Sequence, residues 1–369
     1  MRNKKIAGIV FAIIIVLLLI KPLIGVLKFS PVLFGLLFNK EVSLKKADDN
    51  INILLLGIGG GTHEGPNLSD TMIFASINPV KNKTTLVSIP RDMWVSDLGA
   101  KINTAYAQGE KKRKGGGLIL AKAAVSKIVG EPIDYGFRID FSGFVKAVDM
   151  IGGLDVATDR TLDDNAYPIE GKEDASCGHS DEEIKAYTAT VSAEEDLSSF
   201  FVCRYKSIHF PKGENRLNGE QALEFVRSRH ALGLEGSDFA RSARQEKVIK
   251  AFKDKVLSVG TLLNPGKVFG LYDILQSSID TDIKQDEFDD FIRLFGKLKT
   301  AKIESAVVDY GDSFTQRPGL LVNPPLSQDY NGAWVLIPRI GSGDFSEIQK
   351  YVDCEIKVGN CPISQTPNK

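Results

Sequence analysis

Arg227, Arg229, Arg241 and Arg244 fall within eighteen positions of one another. Guanidinium groups grip phosphate oxygens through paired hydrogen bonds, so this density of arginine points to a phosphorylated ligand. Arg241 and Arg244 stand three apart and share one face of a helix read over Phe239 to Leu257. Both fall in its first turns, where a cation opposes the helix dipole. A sequence tuned for stability alone places acids there. Two arginines make sense at that end when an anion sits between them, held also by open backbone N–H groups. Gln245 adds a neutral donor. The alternative is a solvated face on which the arginines pair with Glu235, Asp238 and Glu246. Asp238 is then a helix cap, an arginine orienter, or both.

A second constellation lies far upstream. Ser69-Asp70-Thr71 opens one expected strand, Pro90-Arg91-Asp92 closes another, and Lys101-Ile102-Asn103 follows. Strand ends beside loops are where α/β folds build sites. Taken with the arginines, these residues describe a pyrophosphate site in which Asp70 or Asp92 holds Mg²⁺ against the same oxygens. Metal and arginines would neutralise the charge on a leaving phosphate. The glycine-rich stretch Gly57 to Gly61 is not a P-loop, because no Lys-Ser/Thr follows at the required spacing. No Ser-His-Asp or Cys-His arrangement is recognisable.

The elements that must position these groups follow from the hydrophobic pattern. Strands are expected over Ile51 to Ile58, Thr71 to Asn78, Thr84 to Ile89, Asp134 to Ile139, from Leu154, over Ala306 to Asp309 and over Trp334 to Pro338. Helices are expected over Leu118 to Val129, Phe141 to Met150, Gly219 to Val226 behind an Asn218 cap, Asp286 to Leu298 and Ser346 to Val352. Thr161 to Ser199 is polar and acidic and reads as an excursion from the core. Strands alternating with helices predict an α/β sandwich around a central sheet.

Composition narrows the partners. The 369 residues carry a formal net charge of -1 and are 25% charged, so disorder and generic nucleic-acid binding are both disfavoured. The chain begins with Arg2, Lys4 and Lys5, then an uninterrupted apolar run from Ile6 to Ile20. Fifteen helical residues span about 22 Å, so extension to about Val26 is needed to cross a bilayer core, with Lys21 reaching for the interface. The positive flank stays inside, which places the bulk of the chain outside the cytoplasm. A cleaved signal peptide is the alternative, but no small-residue cleavage site sits where it would be needed. Ser30 to Phe38 is expected at the outer membrane surface. The four cysteines contain no CxxC pair and are expected as two disulfides, Cys177 with Cys203 and Cys354 with Cys361.

The motifs resemble those of the LytR–CpsA–Psr family of cell-wall phosphotransferases. The resemblance rests on Ile53 to Gly57 with Ser69-Asp70-Thr71-Met72, on Leu86-Val87-Ser88-Ile89-Pro90-Arg91-Asp92, and on Lys101-Ile102-Asn103 with Ala105-Tyr106. Ile151-Gly152-Gly153-Leu154-Asp155-Val156 adds to it. The most specific stretch is Leu217-Asn218-Gly219-Glu220-Gln221-Ala222-Leu223, running into Val226-Arg227-Ser228-Arg229, Asp238-Phe239, Arg241 and Arg244-Gln245. It implies a three-layer α/β/α sandwich with a mixed central sheet and a deep apolar pocket for a polyprenyl tail, behind one N-terminal transmembrane helix. It implies Mg²⁺- or Mn²⁺-assisted transfer of a glycan phosphate from a polyprenyl-pyrophosphate carrier to peptidoglycan or another envelope polymer. By position, Asp70 would serve the metal, and Arg91, Arg227, Arg229 and Arg241 would bind the pyrophosphate. Asp92, Lys101, Asp238, Arg244 and Gln245 would support or orient it. The sequence departs from the family in the loop after the first strand, Gly59-Gly60-Gly61-Thr62-His63-Glu64, which lacks the usual acid, leaving Glu64 as a substitute ligand. The same residues would serve lipid-pyrophosphate hydrolysis, or a non-catalytic receptor for lipid-linked glycan. The expected organisation is an anchor and juxtamembrane segment over 1–40, a linker over 41–50, a catalytic domain over 51–312 and a C-terminal extension over 313–369.

Overall fold

The computed structural model describes residues 43–46, 49–61, 65–190, 198–298, 301–312 and 317–365. The expected transmembrane helix and Glu64 lie outside these residues. Among those described, no helix is long and apolar enough to cross a membrane.

Along the chain, β1 (Ile51–Ile58), β2 (Ser69–Asn78) and β3 (Lys83–Ser88) come first. Helices α1 (Ala105–Lys112) and α2 (Gly117–Val129), strand β4 (Tyr135–Asp140) and helix α3 (Phe141–Ile151) follow. Next are β5 (Leu154–Thr158), β6 (Leu162–Pro168), α4 (Asp181–Thr190), β7 (Tyr205–Phe210), β8 (Gly213–Leu217) and α5 (Gly219–Arg227). The chain ends with α6 (Asp238–Val256), α7 (Pro265–Ser278), β9 (Ile279–Thr281), α8 (Phe288–Lys297), β10 (Lys302–Val307) and α9 (Ser346–Lys357).

Six strands form one mixed sheet in the order β9-β4-β1-β2-β3-β10. β1 runs parallel to β4 and β3 parallel to β10, while β2 is antiparallel to both of its neighbours. Both sheet faces are apolar, which is why these strands read as continuous hydrophobic runs. One face carries Leu54, Leu56, Met72, Phe74 and Val87 and packs against Ala121, Val125 and Ile128 of α2 and Ile348 and Val352 of α9. The other carries Ile51, Ile53, Ile73 and Tyr135 and packs against Phe291 and Leu294 of α8. Phe345, Ile348 and Val352 therefore belong to the same apolar cluster as the sheet.

A second core joins Val148 and Ile151 of α3, Ala222 and Phe225 of α5 and Val248 of α6 to strands β5 to β8. The Thr161–Ser199 stretch is thereby corrected. Its first part is strand β6, paired with β7, with Leu162 and Tyr167 buried. Beyond Pro168 the described residues are mostly exposed and include α4, and the disulfide Cys177–Cys203 links this part to the residues just before β7; Cys354–Cys361 closes the short loop after α9. Acidic composition hid the strand, because Asp163 and Asp164 interrupt its alternation. Two further expectations change. Of Trp334 to Pro338 only Ile337–Pro338 is strand, while α9 runs on to Lys357. The helix α7 had no predicted counterpart.

Gly152 and Gly153, both at positive φ, end α3 and reverse the chain into β5. Asn218 and Gln221 form a reciprocal capping box at the start of α5, fixing where that helix begins and so where it delivers Arg227.

Candidate active site

β1, β3, β4 and β10 end, and β2 begins, at the same edge of the sheet. Asp70 lies on the second residue of β2, and Arg91 and Asp92 follow β3 by three and four residues. The Arg91 Nη1 donates to Asp70 Oδ1 at 2.5 Å, and its Nε stands 3.5 Å from Asp92 Oδ2. Lys101 Nζ donates to Asp92 Oδ1 at 2.7 Å. The chain is folded back to make this possible, since Ile102 N–H donates to the Met93 carbonyl and Asn103 N–H to the Arg91 carbonyl. Burial alone lowers the Arg91 pKa, but Asp92 and Asp70 outweigh it and hold the guanidinium above its ordinary value.

Arg229 behaves in the opposite way. Burial first, then repulsion from Arg241 and Arg91, pull its pKa down to about 10, with Asp70 and Asp92 only partly compensating. One electrostatic neighbourhood therefore gathers Arg91, Arg229, Arg241, Asp70 and Asp92. Among the described residues Arg229 has no carboxylate within ion-pair distance. A half-buried cation facing other cations is stabilised by an anion brought among them.

Arg227 arrives at the same edge. Its guanidinium lies over the Phe141 ring at 4.2 Å, a cation–π contact. Phe141 in turn lies beside Gly57 near the end of β1, its Cε1 3.9 Å from where a Cβ on that glycine would stand. Tyr167, pushed up to about 12 chiefly by burial, is drawn back by the charge of Arg227 and a hydrogen bond with it. Between the two arginines, Ser228 Oγ donates to Asp164 Oδ2 at 2.7 Å, and the His230 N–H donates to the same oxygen. Asp164 is 0% exposed and fixes the segment that presents Arg227 and Arg229. Phe141, Tyr167, Asp164 and Ser228 were not singled out from the sequence. Asp164 was detectable only as an acid inside a stretch whose alternation it breaks.

Two expectations are corrected at the start of α6. The helix cap is Ser237, whose side chain accepts from the Ala240 N–H, and Asp238 is the first helical residue. Arg244 does not face the anion site. It is 3% exposed, and it donates to the carbonyls of Phe225, Ser228 and Glu235 and to Glu235 Oε2. An i,i+3 pair diverges by about 60° around the axis. That suffices to send Arg244 into the turn it holds while Arg241 stays beside Arg229. Gln245 is buried beside it. A cleft of about 300 Å³ lined by Arg160, Phe225, Glu235, Ala240, Arg244 and Lys247 shares only Arg244 with the expected site.

On the sheet face below Asp70, Leu55, Phe137 and Ile139 are only half-buried, unlike Ile53 and Tyr135 farther down the same strands. Partly buried Ile249 and Phe252 of α6 and Phe144 of α3 line the neighbouring cores. This is a loosely covered apolar strip leading away from the charged edge.

For a divalent cation the donors are few. No group of three or more His, Cys, Asp or Glu residues gathers among those described. Ser69 Oγ and Asn103 Oδ1, next to Asp70 and Arg91 in the chain or by backbone contact, are buried without a hydrogen-bond partner. One carboxylate with neutral oxygens suits a magnesium ion that takes most of its remaining ligands from water and substrate phosphates.

The profile of the LytR_cpsA_psr family matches residues 37–322. The chain belongs to the LytR_cpsA_psr family. It is 29% identical over 255 residues to a polyisoprenyl-teichoic acid–peptidoglycan teichoic acid transferase, TagU, of Bacillus cereus, covering 68% of this chain and 66% of that protein. The namesake from Enterococcus faecalis is 28% identical over 325 residues, covering 82% and 88%. The chain thus spans just under two thirds of the first of these relatives and most of the second. The crystal structure of B. subtilis TagV superposes with a TM-score of 0.52 at 22% identity, covering 84% of this chain and 98% of that one, which shows a shared fold.

Proposed function

We propose that this LytR_cpsA_psr protein transfers a glycan phosphate from a polyprenyl-pyrophosphate carrier to a hydroxyl of peptidoglycan or a related envelope polymer. The observation that carries the reading is Arg229, a half-buried guanidinium among other cations with its pKa pulled down to about 10. A diphosphate bridging Arg91, Arg229, Arg241 and Arg227 would relieve that repulsion and form charge-assisted hydrogen bonds. The relatives' names, which specify polyisoprenyl-linked teichoic acid and peptidoglycan, agree with this class of donor and acceptor.

In the reaction, an acceptor oxygen forms a bond to the glycan-bearing phosphorus. The bond from that phosphorus to the polyprenyl phosphate breaks, and the acceptor proton leaves to water. Charge grows on the bridging and leaving oxygens, where the arginines already point a positive field. Phe141 and Tyr167 hold Arg227, and Asp164 through Ser228 holds the segment carrying Arg229, so little reorganisation is needed. Asp70 and Asp92 keep Arg91 in place and limit the cost of gathering cations. Asp70, with Ser69 and Asn103 nearby, would hold Mg²⁺ or Mn²⁺, which when bound neutralises phosphate charge. The strip of Leu55, Phe137 and Ile139 offers the apolar surface that a polyprenyl tail requires. We further read the sequence from Ile6 to Val26 as a membrane anchor that keeps the domain beside its lipid donor outside the cytoplasm.

Incubating the protein with a lipid-pyrophosphate-linked saccharide and peptidoglycan oligomers tests the reading. Saccharide phosphate joined to the oligomer is expected. Free saccharide phosphate alone would assign hydrolysis instead, and binding without turnover under Mg²⁺ or Mn²⁺ would make the protein a receptor.

A further inference from the structure

The sheet edge opposite the arginines carries features that diphosphate chemistry does not use. β1 begins there at Ile51 facing Ile77, the β2–β3 turn runs from Asn78 to Lys83, and β10 begins at Lys302 beside Lys83. At the tip of that turn Val80 is 80% exposed. α6 starts among the site arginines and runs toward this edge, where Lys253 Nζ donates to the Leu298 carbonyl just before β10. The single turn Val259–Leu262 follows, leaving Val259 67% and Leu263 78% exposed. α7 then starts beside the far end of α3, with Lys267 Nζ on the Ile151 carbonyl. Apolar tips from two separate elements thus project at one end of the domain. Exposed Lys45, Lys46 and Lys81 surround them, together with Lys302, which pairs with Glu304, and Asp49, Asp254 and Asp286 are the nearby exposed acids.

The chain enters the domain at this same end. Leu44 is buried with Ile51, Tyr135 and Leu294. Ser43 N–H donates to Asp290 Oδ2 at 3.0 Å, and Lys45 N–H to the Tyr135 hydroxyl at 2.8 Å. Four residues separate Ser43 from Phe38, the end of the apolar N-terminal sequence, and the five steps between the two span at most about 18 Å. A domain pinned by Leu44 cannot lift this edge far from whatever holds that sequence.

We propose that this edge is the face the domain lays on the outer leaflet of the bilayer, with Val80, Val259 and Leu263 entering the headgroup layer and the lysines meeting anionic lipid. The inference rests on the anchoring read above. Scattered apolar tips on short turns, ringed by lysine and offering no continuous groove, suit a fluid interface better than a protein ligand.

All four native cysteines are paired, so single cysteines introduced as Val80→Cys, Val259→Cys and Leu263→Cys accept a fluorophore selectively. The full chain is reconstituted into phosphatidylcholine–phosphatidylglycerol vesicles containing a lipid-borne nitroxide quencher. Labels at these positions are expected to be quenched several-fold more than labels at Asn67→Cys and Tyr310→Cys, exposed sites at the opposite edge. Val259→Asp with Leu263→Asp is expected to weaken quenching at position 80. A chain that does not float with the vesicles overturns the anchor reading and this inference with it. A chain that floats but whose labels at both edges are quenched alike overturns this inference alone.

Discussion

Replacing Arg229 by methionine separates the cost of the site from its use. Burial and neighbouring cations bring this guanidinium down from its ordinary value to about 10. At 1.36 kcal/mol per unit, the folded environment disfavours the cation by about 3 kcal/mol relative to water. At neutral pH Arg229 is protonated in both folded and unfolded chains. The lowered pKa therefore acts as a full penalty there, relieved only as pH rises through the folded value of about 10. Methionine keeps the stem's apolar contacts and removes the charge. Arg229→Met is expected to be more stable without ligand, by about 1–3 kcal/mol once local relaxation is allowed, or several degrees in Tm. Thermal unfolding of both proteins, alone and with a polyprenyl diphosphate, measures this. The diphosphate should raise the wild-type Tm and leave the variant's nearly unchanged, and transfer should fall on the order of a hundredfold or more. Earlier melting of the ligand-free variant would show that the charge is already compensated in the fold. Equal stabilisation of both proteins by the diphosphate would show that Arg229 does not meet the ligand. Either result refutes the assignment of Arg229 to the diphosphate.

Arg244→Ala breaks a buried cation away from three carbonyls and a carboxylate and is expected to cost about 3–5 kcal/mol in denaturant unfolding. Asp164→Ala leaves the Ser228 hydroxyl and the His230 N–H without their acceptor, so kcat should fall with a loss of about 2–4 kcal/mol in stability, and diphosphate added at saturation should not restore the rate. Chelation should stop transfer without lowering the ligand-free Tm, because no cluster of protein ligands is available to make a cation structural among the described residues. The double variant Cys177→Ser with Cys203→Ser should keep transfer but open the segment from Ile169 to Arg204 to proteolysis, seen by mass spectrometry of the fragments.

Much of this protein is readable before folding because both sheet faces are covered. Ile51 to Ile58 is apolar on every residue but two, and no helix period competes with it. The Asn218 cap is equally local, needing only a partner three residues on. Strand β6 was not readable, because its identity depends on pairing with β7 across thirty-six intervening residues, and its interior acid makes sense only once Ser228 is beside it. The arginines show the same boundary within one motif. Residue type announced phosphate chemistry at Arg227, Arg229, Arg241 and Arg244 alike. Which guanidinium is occupied and which is left for a ligand depends on acceptors supplied by the backbone. The carbonyls that occupy Arg244 belong to Phe225, Ser228 and Glu235, groups that every residue carries and that no sequence pattern marks. Among the described residues no such carbonyl accepts from Arg229, which instead keeps the company of Arg91 and Arg241. Binding capacity here follows from what the backbone satisfies: Arg244, held by three carbonyls, secures the structure, while Arg229, which none of the described carbonyls occupies, is the guanidinium we read as meeting the ligand.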